Sequence, residues 1–367
     1  MAHSFFVVCG LAGLGFSCSS ESPKGSVEDS GAVKPGDSGS GEGLSWEMLE
    51  QSIDASVLVD ATVLFGNSDG VQFSHSKGDS TGEEFLLLAS ASKWLASITI
   101  LSLVEDGVVS LEDHPQDYLD WWTRDPSDSR SMVTLEQLLS FTSGLAGAED
   151  EVPCVEDGDS TIEACAQEIY STLFAHEPGE VFVYGPTHLQ VAGAMVTEAT
   201  GESFHRLFRN QVGEPLGLKT LTSFGVPSLA NPRVAGGALG SAEDYAKVLT
   251  ALSSGALLSP ESMEVLGRDR TGGEVVMQEV PEAATASGEW HYALGCWREC
   301  AETPYSADCD QPGVLSSPGM FGFYPMWDTA SGNWGVIGVE ILDNDGSAGI
   351  TVPLGQEWFQ WAGELLK

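Results

Sequence analysis

The alternation of apolar and polar residues predicts β-strands near both ends of the chain. After a short helix that begins near Ser45, residues 55–64 are rich in β-forming side chains. A Gly-Asn-Ser-Asp-Gly turn at 66–70 separates them from a second strand at 71–76, and this arrangement is a hairpin signature. Further strands are predicted at 290–296, 321–328 and 333–342.

The residues between these strands carry mainly helical patterns. Helices are predicted at 135–141, 163–174, 188–199, 204–212, 242–253 and 260–267, and an amphipathic helix at 354–366 follows the last strand. We therefore predict an α/β (α+β) fold in which one antiparallel sheet, formed from N- and C-terminal segments, is flanked by helices. One domain is expected at 44–367, with its α/β part at about 44–110 and 288–367 and a mostly helical insertion at about 111–287.

Residues 85–104 form the most apolar window after the N-terminus and contain one charge, Lys93. A transmembrane helix is one interpretation, but a lysine near the bilayer centre costs about 2.5–3.5 kcal/mol. A short strand at 85–88, followed by a buried helix from near Ser90 to about Glu105, is favoured instead. Gly107 is the expected end signal of this helix.

The N-terminus resembles the export signal of bacterial lipoproteins. An apolar stretch at 5–16 precedes Cys18, the expected lipid attachment site, so residues 1–18 are interpreted as a lipoprotein-type signal segment. Residues 19–43 are mostly Ser, Gly, Pro and acidic residues, which predicts a disordered tether. We expect an exported protein, anchored to the membrane only through this lipid and facing the periplasm or cell exterior. A conventional cleaved signal peptide and a misplaced start codon are the alternatives.

The charge of the chain excludes some partners. With 15 Lys+Arg against 54 Asp+Glu, the formal net charge is -39, and no basic cluster interrupts it. Such a surface repels phosphates, so nucleic acid is not expected as a partner. The acidity indicates a well-hydrated surface and does not specify chemistry.

The cysteines predict two disulfides. Loop closure favours near neighbours in an oxidising compartment, so the expected pairs are Cys154 with Cys165 and Cys300 with Cys309, which leaves Cys296 buried and free. Zinc is the weaker alternative, because the 7 His residues show no ligand spacing. No metal or other cofactor is expected.

The segment Ser90-Ala91-Ser92-Lys93 contains a candidate nucleophile and a candidate base. In the first turn of a helix this spacing places the Ser90 hydroxyl and the Lys93 amine on one face, so the amine can take the hydroxyl proton. Apolar neighbours and the helix N-terminus both disfavour the ammonium form, as a general base requires. We predict Ser90 as nucleophile and Lys93 as base; a buried lysine without function is the alternative.

Two other serine motifs are interpreted as coincidences. Residues 66–70 match Gly-x-Ser-x-Gly, but no helical pattern follows Ser68, so this serine is predicted to lie in a turn. Residues 36–40 imitate a trypsin-like nucleophile loop but belong to the predicted tether, where no oxyanion hole is held in place.

Several segments together resemble the class C β-lactamase-related serine hydrolases. Residues 88–93 (LASASK) and 104–113 (VEDGVVSLED) resemble the nucleophile helix of that family and its following loop. Other family segments follow in order at 134–145, where Phe141 takes the place of a histidine, and at 178–184, 214–218, 235–244 and 292–295. The resemblance covers about residues 50–365 and implies a β-lactamase/transpeptidase-like fold with an acyl-enzyme mechanism.

The resemblance also implies roles for individual residues. Tyr184 falls on the family tyrosine and is expected to relay protons with Lys93. Pro186 replaces an asparagine that contacts the lysine, and His188 is the candidate substitute. The family's Lys/His-x-Gly motif falls on Ser317-Pro318-Gly319, expected on an edge strand, without the cation. The expected oxyanion hole consists of the backbone amides of Ser90 and Met320, and the expected substrate-binding residues are Ser317, Gly319, Pro186 and His188.

These residues predict a serine hydrolase with an esterase-like preference for small neutral esters or amides, because the missing cation argues against anionic substrates. A β-lactamase or a D-amino-acid or cell-wall peptidase is the alternative within the same chemistry. A catalytically inactive binding protein on the cell surface is the second alternative, and a membrane or transport component is the weakest one.

Overall fold

A seven-stranded antiparallel sheet forms the scaffold of the computed structural model, which describes residues 43–147, 152–286, 288–310, 313–342 and 347–367. In pairing order its strands are β2 (Gly70–Lys77), β1 (Ala61–Asn67), β12 (Trp334–Gly338), β11 (Tyr324–Asp328), β10 (Val314–Ser316), β9 (Trp297–Arg298) and β8 (His291–Tyr292). The central pairing joins the two ends of the chain, with Val63 opposite Ile337. The predicted sheet from N- and C-terminal segments is confirmed.

Helices cover both faces of this sheet. The helices in the described residues are α1 (Trp46–Ala55), α2 (Ala91–Glu105), α3 (Leu135–Leu139), α4 (Ile162–Thr172), α5 (Thr187–Thr200), α6 (Phe204–Phe208), α7 (Ala242–Ser253), α8 (Pro260–Gly267) and α9 (Ser347–Leu365). Of these, α1, α7 and α9 contact strands of the main sheet. A Cβ on Gly335 would press against Phe65 and Phe359, and one on Gly338 would lie 2.6 Å from the Cβ of Ala242. Glycines on β12 therefore let α9 approach one face closely and α7 the other. The predicted fold class is confirmed.

Two small sheets lie outside the main one. Strands β3 (Leu86–Leu87), β6 (Ala238–Gly240) and β5 (Ser223–Phe224) form an antiparallel sheet, and β4 (Val181–Val183) pairs in parallel with β7 (Val276–Gln278). Sequence patterns did not predict β4 to β7, because strands of two or three residues carry no readable alternation.

Several predicted boundaries are wrong. The single strand expected at 290–296 is a hairpin of β8 and β9, and its turn contains Gly295 at φ +70°. A Cβ there would lie 2.2 Å from the Ser97 Oγ. The 55–64 segment is split, since α1 ends at Ala55 and β1 begins at Ala61. The last helix begins at Ser347 and includes Pro353.

Helix α2 runs through the centre of the structure. All residues from Ala91 to Leu103 are buried, and α2 contacts α5, α6 and α8. The helix ends at Glu105, and Gly107 follows in the left-handed conformation at φ +69°, as expected for its end signal. Within the described ranges, no helix is both long and apolar enough to cross a membrane.

The described residues contain two disulfides. Cys154 is bonded to Cys165 and Cys300 to Cys309, while Cys296 is a buried free thiol. Burial raises the pKa of the Cys296 thiol to about 12. The described part of the chain contains no group of three or more His, Cys, Asp or Glu arranged to hold a metal ion. The predicted signal segment at 1–18 with Cys18, the 36–40 motif and the tether up to residue 42 lie outside the described residues.

Candidate active site

A sharp turn presents Ser90 at the start of α2. Ala89 has φ +45°, a left-handed conformation that is uncommon for a residue with a side chain. The amide of Leu88 donates to the Ala238 carbonyl at 3.1 Å, and the Ser92 hydroxyl accepts from the Ala238 amide at 3.0 Å. Strand β6 thus holds both sides of the turn, and the Ser90 hydroxyl lies beside the helix N-terminus.

The amine of Lys93 lies one helical turn beyond the Ser90 hydroxyl. The two atoms, Nζ and Oγ, are 3.1 Å apart, which is hydrogen-bond distance. The same nitrogen donates to the Ala235 carbonyl at 2.9 Å and lies 4.7 Å from the centre of the Tyr184 ring. Lys93 is only 4% exposed. The helical spacing of three residues therefore brings the predicted nucleophile and base together.

The parallel pair of β4 and β7 brings Tyr184 to the same place. Tyr184 directly follows β4, and its amide donates to the carbonyl of Gln278 at 3.4 Å. Its ring stacks on Trp297 with centroids 5.4 Å apart and contacts Phe141 at 5.8 Å. This aromatic packing fixes the ring beside the Lys93 amine.

Two backbone amides close to the hydroxyl have no acceptor. The turn after β10 is held by bonds from the Gly319 amide to Phe323 and from the Gly322 amide to Gly319. In the described part of the chain, the amides of Ser90 and Met320 donate to no acceptor. Both residues line one cavity, where their N–H groups can donate hydrogen bonds to a ligand oxygen.

The cavity that holds these groups has a volume of about 360 Å³. Its lining residues are Ser90, Lys93, Tyr184, Gly185, Pro186, Glu279, Pro281, Glu282, Ala283, Ala284, Trp297, Pro318, Met320, Ala348 and Gly349. A larger cavity of about 560 Å³ lies against α9 and includes Glu299 and Phe359. None of the predicted catalytic residues lines that larger cavity, so it is not the candidate site.

Ser317 and Gly319 support the nucleophile and do not line the cavity. The Ser317 hydroxyl donates to the Ser90 carbonyl at 2.8 Å, and this serine is only 2% exposed. A Cβ on Gly319 would lie 2.4 Å from the Leu88 carbonyl, so only glycine permits this close approach. Their contact with substrate stays a prediction. The expected edge strand is wrong, because β10 pairs with both β9 and β11.

His188 is also placed differently from the expectation. It is fully buried, and it stacks on Phe141 with ring centroids 4.9 Å apart. Its Nε2 donates to the Val183 carbonyl at 2.9 Å, so Nδ1 accepts from the Ser143 hydroxyl at 2.8 Å. Burial, with a smaller contribution from the nearby Lys93, lowers the pKa of His188 from its ordinary value to about 3. His188 is thus a neutral packing residue, whereas Pro186 does line the cavity.

The buried imidazole predicts a specific loss of stability in acid. The pKa of His188 is lowered from 6.5 to about 3 on folding, so the unfolded chain binds the proton first as the pH falls below 6.5. We expect the free energy of unfolding to fall by about 2 kcal/mol between pH 6.5 and 4.5 from this residue alone. Urea unfolding of the wild type and of His188→Gln at both pH values measures this fall in the free energy of unfolding.

His188→Gln is a suitable comparison because the glutamine amide can donate to Val183 and accept from Ser143 without titrating. Carboxylates elsewhere titrate equally in both proteins, so their contributions cancel in the comparison. Equal losses of stability in the two proteins would contradict a buried neutral imidazole.

A family model described as Beta-lactamase matches residues 50–338, which is most of the chain. The chain belongs to the beta-lactamase family. The match contains the hairpin, the nucleophile helix and every strand of the sheet up to β12. With this family and this fold, the chain is placed among the β-lactamase-like serine hydrolases.

Two curated relatives match only part of this beta-lactamase family member. Protein flp of Staphylococcus aureus (strain N315) is 25% identical over 137 residues, which are 37% of this chain and 27% of that protein. Esterase EstB of Burkholderia gladioli is 28% identical over 144 residues, with 36% of each chain covered. The aligned region thus spans about a quarter to a third of these relatives.

Solved structures match the fold over a greater length. A putative beta-lactamase from Bacteroides dorei DSM 17855 superimposes with a TM-score of 0.71 at 24% identity, over 87% of this chain and 98% of the other. EstCE1, described as a hydrolase with promiscuous acyltransferase activity, superimposes with a TM-score of 0.66 at 18% identity, over 84% and 96%. These likenesses show the beta-lactamase fold.

Some functional groups of this family member were not predicted. The carbonyl of Ala235 holds the Lys93 amine, and the Ser143 hydroxyl donates to Nδ1 of His188. Both lie in segments whose family resemblance was recognised, at 235–244 and 134–145, but a backbone carbonyl carries no signal in the sequence. Trp297 and residues 279–284 of the cavity lining had no signal either, because only tertiary pairing brings them to the site.

Proposed function

We propose that this chain is a serine hydrolase that forms an acyl-enzyme on Ser90 and acts on esters or amides that carry no negative charge. The observation that carries the proposal is the 3.1 Å approach of the Lys93 amine to the Ser90 hydroxyl, inside a cavity with two unoccupied backbone donors. A nucleophile, a base and an oxyanion site in one cavity are the groups that acyl transfer requires.

In the first step, uncharged Lys93 accepts the proton of the Ser90 hydroxyl while the Ser90 oxygen attacks the carbonyl carbon of the substrate. The carbonyl oxygen becomes negative and accepts hydrogen bonds from the amides of Ser90 and Met320. The N-terminus of α2 stabilises the same negative charge. A tetrahedral intermediate bonded to Ser90 results.

In the second step, this intermediate collapses and the leaving group departs with a proton. Lys93 now carries the proton taken from Ser90, and Tyr184 relays it to the leaving oxygen or nitrogen. The acyl group remains on Ser90 as an ester. A water molecule then attacks this ester with the same groups acting in reverse order, which releases the acid and restores the Ser90 hydroxyl.

The expected discrimination against anionic substrates rests on the groups around the cavity. Ser317 takes the place of the family cation, and its hydroxyl is already bonded to the Ser90 carbonyl. Among the lining residues that the structure describes, Lys93 is the only basic one. No side chain is thus positioned to bind a substrate carboxylate. The relative named Esterase EstB agrees with an ester preference.

Steady-state kinetics with two substrates tests this preference. For the purified full chain, we expect kcat/KM for p-nitrophenyl acetate to exceed that for an anionic chromogenic cephalosporin by about tenfold or more, the scale of one lost charged contact. A higher kcat/KM for the cephalosporin would favour the β-lactamase alternative. Failure to hydrolyse either substrate, together with no labelling by a fluorophosphonate probe, would favour the inactive binding protein.

A further inference from the structure

One wall of the catalytic cavity carries two carboxylates. This acidic wall, residues 279–284, follows β7 directly and contributes five of the cavity-lining residues, which are Glu279, Pro281, Glu282, Ala283 and Ala284. The pairing of β7 with β4 fixes the acidic wall relative to Tyr184, because the Tyr184 amide donates to Gln278, the residue before Glu279. The two carboxylates therefore belong to the same cavity as the Ser90 hydroxyl.

The backbone of the acidic wall is well anchored. Glu282–Ala284 forms a short 3-10 turn in which Ala283 and Ala284 are buried, and this turn packs against α9. The Ala284 amide donates to the Pro281 carbonyl at 2.9 Å. While the backbone is fixed, the side chains of Glu279 and Glu282 are exposed towards solvent and form no hydrogen bond or ion pair with any described residue. Their charges are available to a ligand.

The charge of the cavity is consequently negative. Lys93 is the only base among the described lining residues, and it must be uncharged to accept the Ser90 proton, which leaves Glu279 and Glu282 as the charged groups. The net charge of -39 on the whole chain adds potential of the same sign. The remaining lining residues are largely apolar and include Trp297, Met320 and Ala348. A cation that carries hydrocarbon groups complements both properties.

We propose that Glu279 and Glu282 determine specificity by selecting esters that carry a positively charged ammonium group in the acyl or the leaving group. This inference rests on the proposed acyl transfer at Ser90 and adds the substrate class. The carboxylates attract the cation to the cavity and bind it beside the reacting ester, so both association and transition-state binding improve.

Two pairs of isosteric substrates test the inference. In the leaving-group pair, acetylthiocholine is compared with S-(3,3-dimethylbutyl) thioacetate, in which carbon replaces the charged nitrogen. In the acyl pair, the p-nitrophenyl ester of 4-(trimethylammonio)butanoate is compared with that of 5,5-dimethylhexanoate. For the wild type we expect kcat/KM to be about tenfold higher for the cation in at least one pair.

Charge-neutralising variants identify the cause of the preference. In Glu279→Gln with Glu282→Gln, the cation preference should fall to about one, and in the wild type it should weaken as salt is added. The matched control, Glu261→Gln with Glu357→Gln, removes two exposed charges that do not line the cavity and should keep the full preference. A loss in the control as well would assign the preference to overall charge and overturn the inference.

The outcomes separate the inference from the proposed function. Hydrolysis of p-nitrophenyl acetate without a preference for the cation in either pair overturns the inference and leaves the acyl transfer standing. Absence of turnover with every ester, p-nitrophenyl acetate included, overturns both.

Discussion

Replacing Ser90 with alanine is expected to lower kcat for p-nitrophenyl acetate by about 10³-fold or more and to abolish covalent labelling by a fluorophosphonate probe. The substitution removes the only atom that forms the acyl bond, while the two amide donors and the cavity stay in place. Among the described residues, the hydroxyl accepts no hydrogen bond other than that from Lys93, so the fold should be retained. Kinetics and intact-protein mass spectrometry after labelling measure both effects.

Ser68→Ala is the matched control for this experiment. Ser68 lies in the exposed turn between β1 and β2, within the Gly-x-Ser-x-Gly match at 66–70. Its removal should leave hydrolysis and labelling unchanged, because Ser68 lies between two strands and not at the start of a helix. Labelling that survives in Ser90→Ala and disappears in Ser68→Ala would show that the nucleophile is assigned to the wrong serine.

Replacing Lys93 with methionine is expected to lower kcat by about 10²- to 10⁴-fold, which is the range for loss of a general base. Methionine has nearly the same volume and keeps the buried position filled, but its thioether is far too weak a base to take the Ser90 proton. The rate of fluorophosphonate labelling should fall with kcat, because both reactions need the activated oxygen. Stopped-flow labelling and steady-state kinetics on the same preparations measure this loss.

A stability measurement separates chemistry from folding in this variant. The Lys93 amine is a polar group buried among apolar residues, so its removal should change the melting temperature by only a few degrees, although the Ala235 carbonyl loses a donor. Lys77→Met is the control, since its amine donates to the Ser56 carbonyl far along the chain from the cavity residues. If both Lys93→Met and Lys77→Met retained the wild-type kcat, a group other than Lys93 would have to act as the base.

The architecture could be predicted to the extent that local patterns determine it. Strands β1 and β2 have seven and eight residues, so their alternation is readable, and α2 stands out because its residues from Ala91 to Leu103 are all buried. The turn at Gly295 was missed because its apolar neighbours continue the strand pattern. Strands β4 and β7 were missed because their pairing joins segments about a hundred residues apart.

The same distinction between local patterns and long-range contacts applies to the residues of the candidate site. Ser90 and Lys93 could be predicted together, because three residues along a helix bring two side chains to one face whatever surrounds them. The buried packing role of His188 could not be predicted, because its two hydrogen bonds and its stacking on Phe141 involve residues of other elements. Glu279 and Glu282 carry no motif, and only the parallel pairing of β4 and β7 reveals that they share a cavity with Ser90.

The hydrogen bond from Ser317 to the Ser90 carbonyl has a consequence for substitutions at position 317. A lysine or histidine introduced at position 317 would restore the family cation, but it would remove the hydroxyl that steadies the nucleophile's own peptide. A variant with a cation at this position would therefore need another donor for the Ser90 carbonyl to keep the turn before α2 in place.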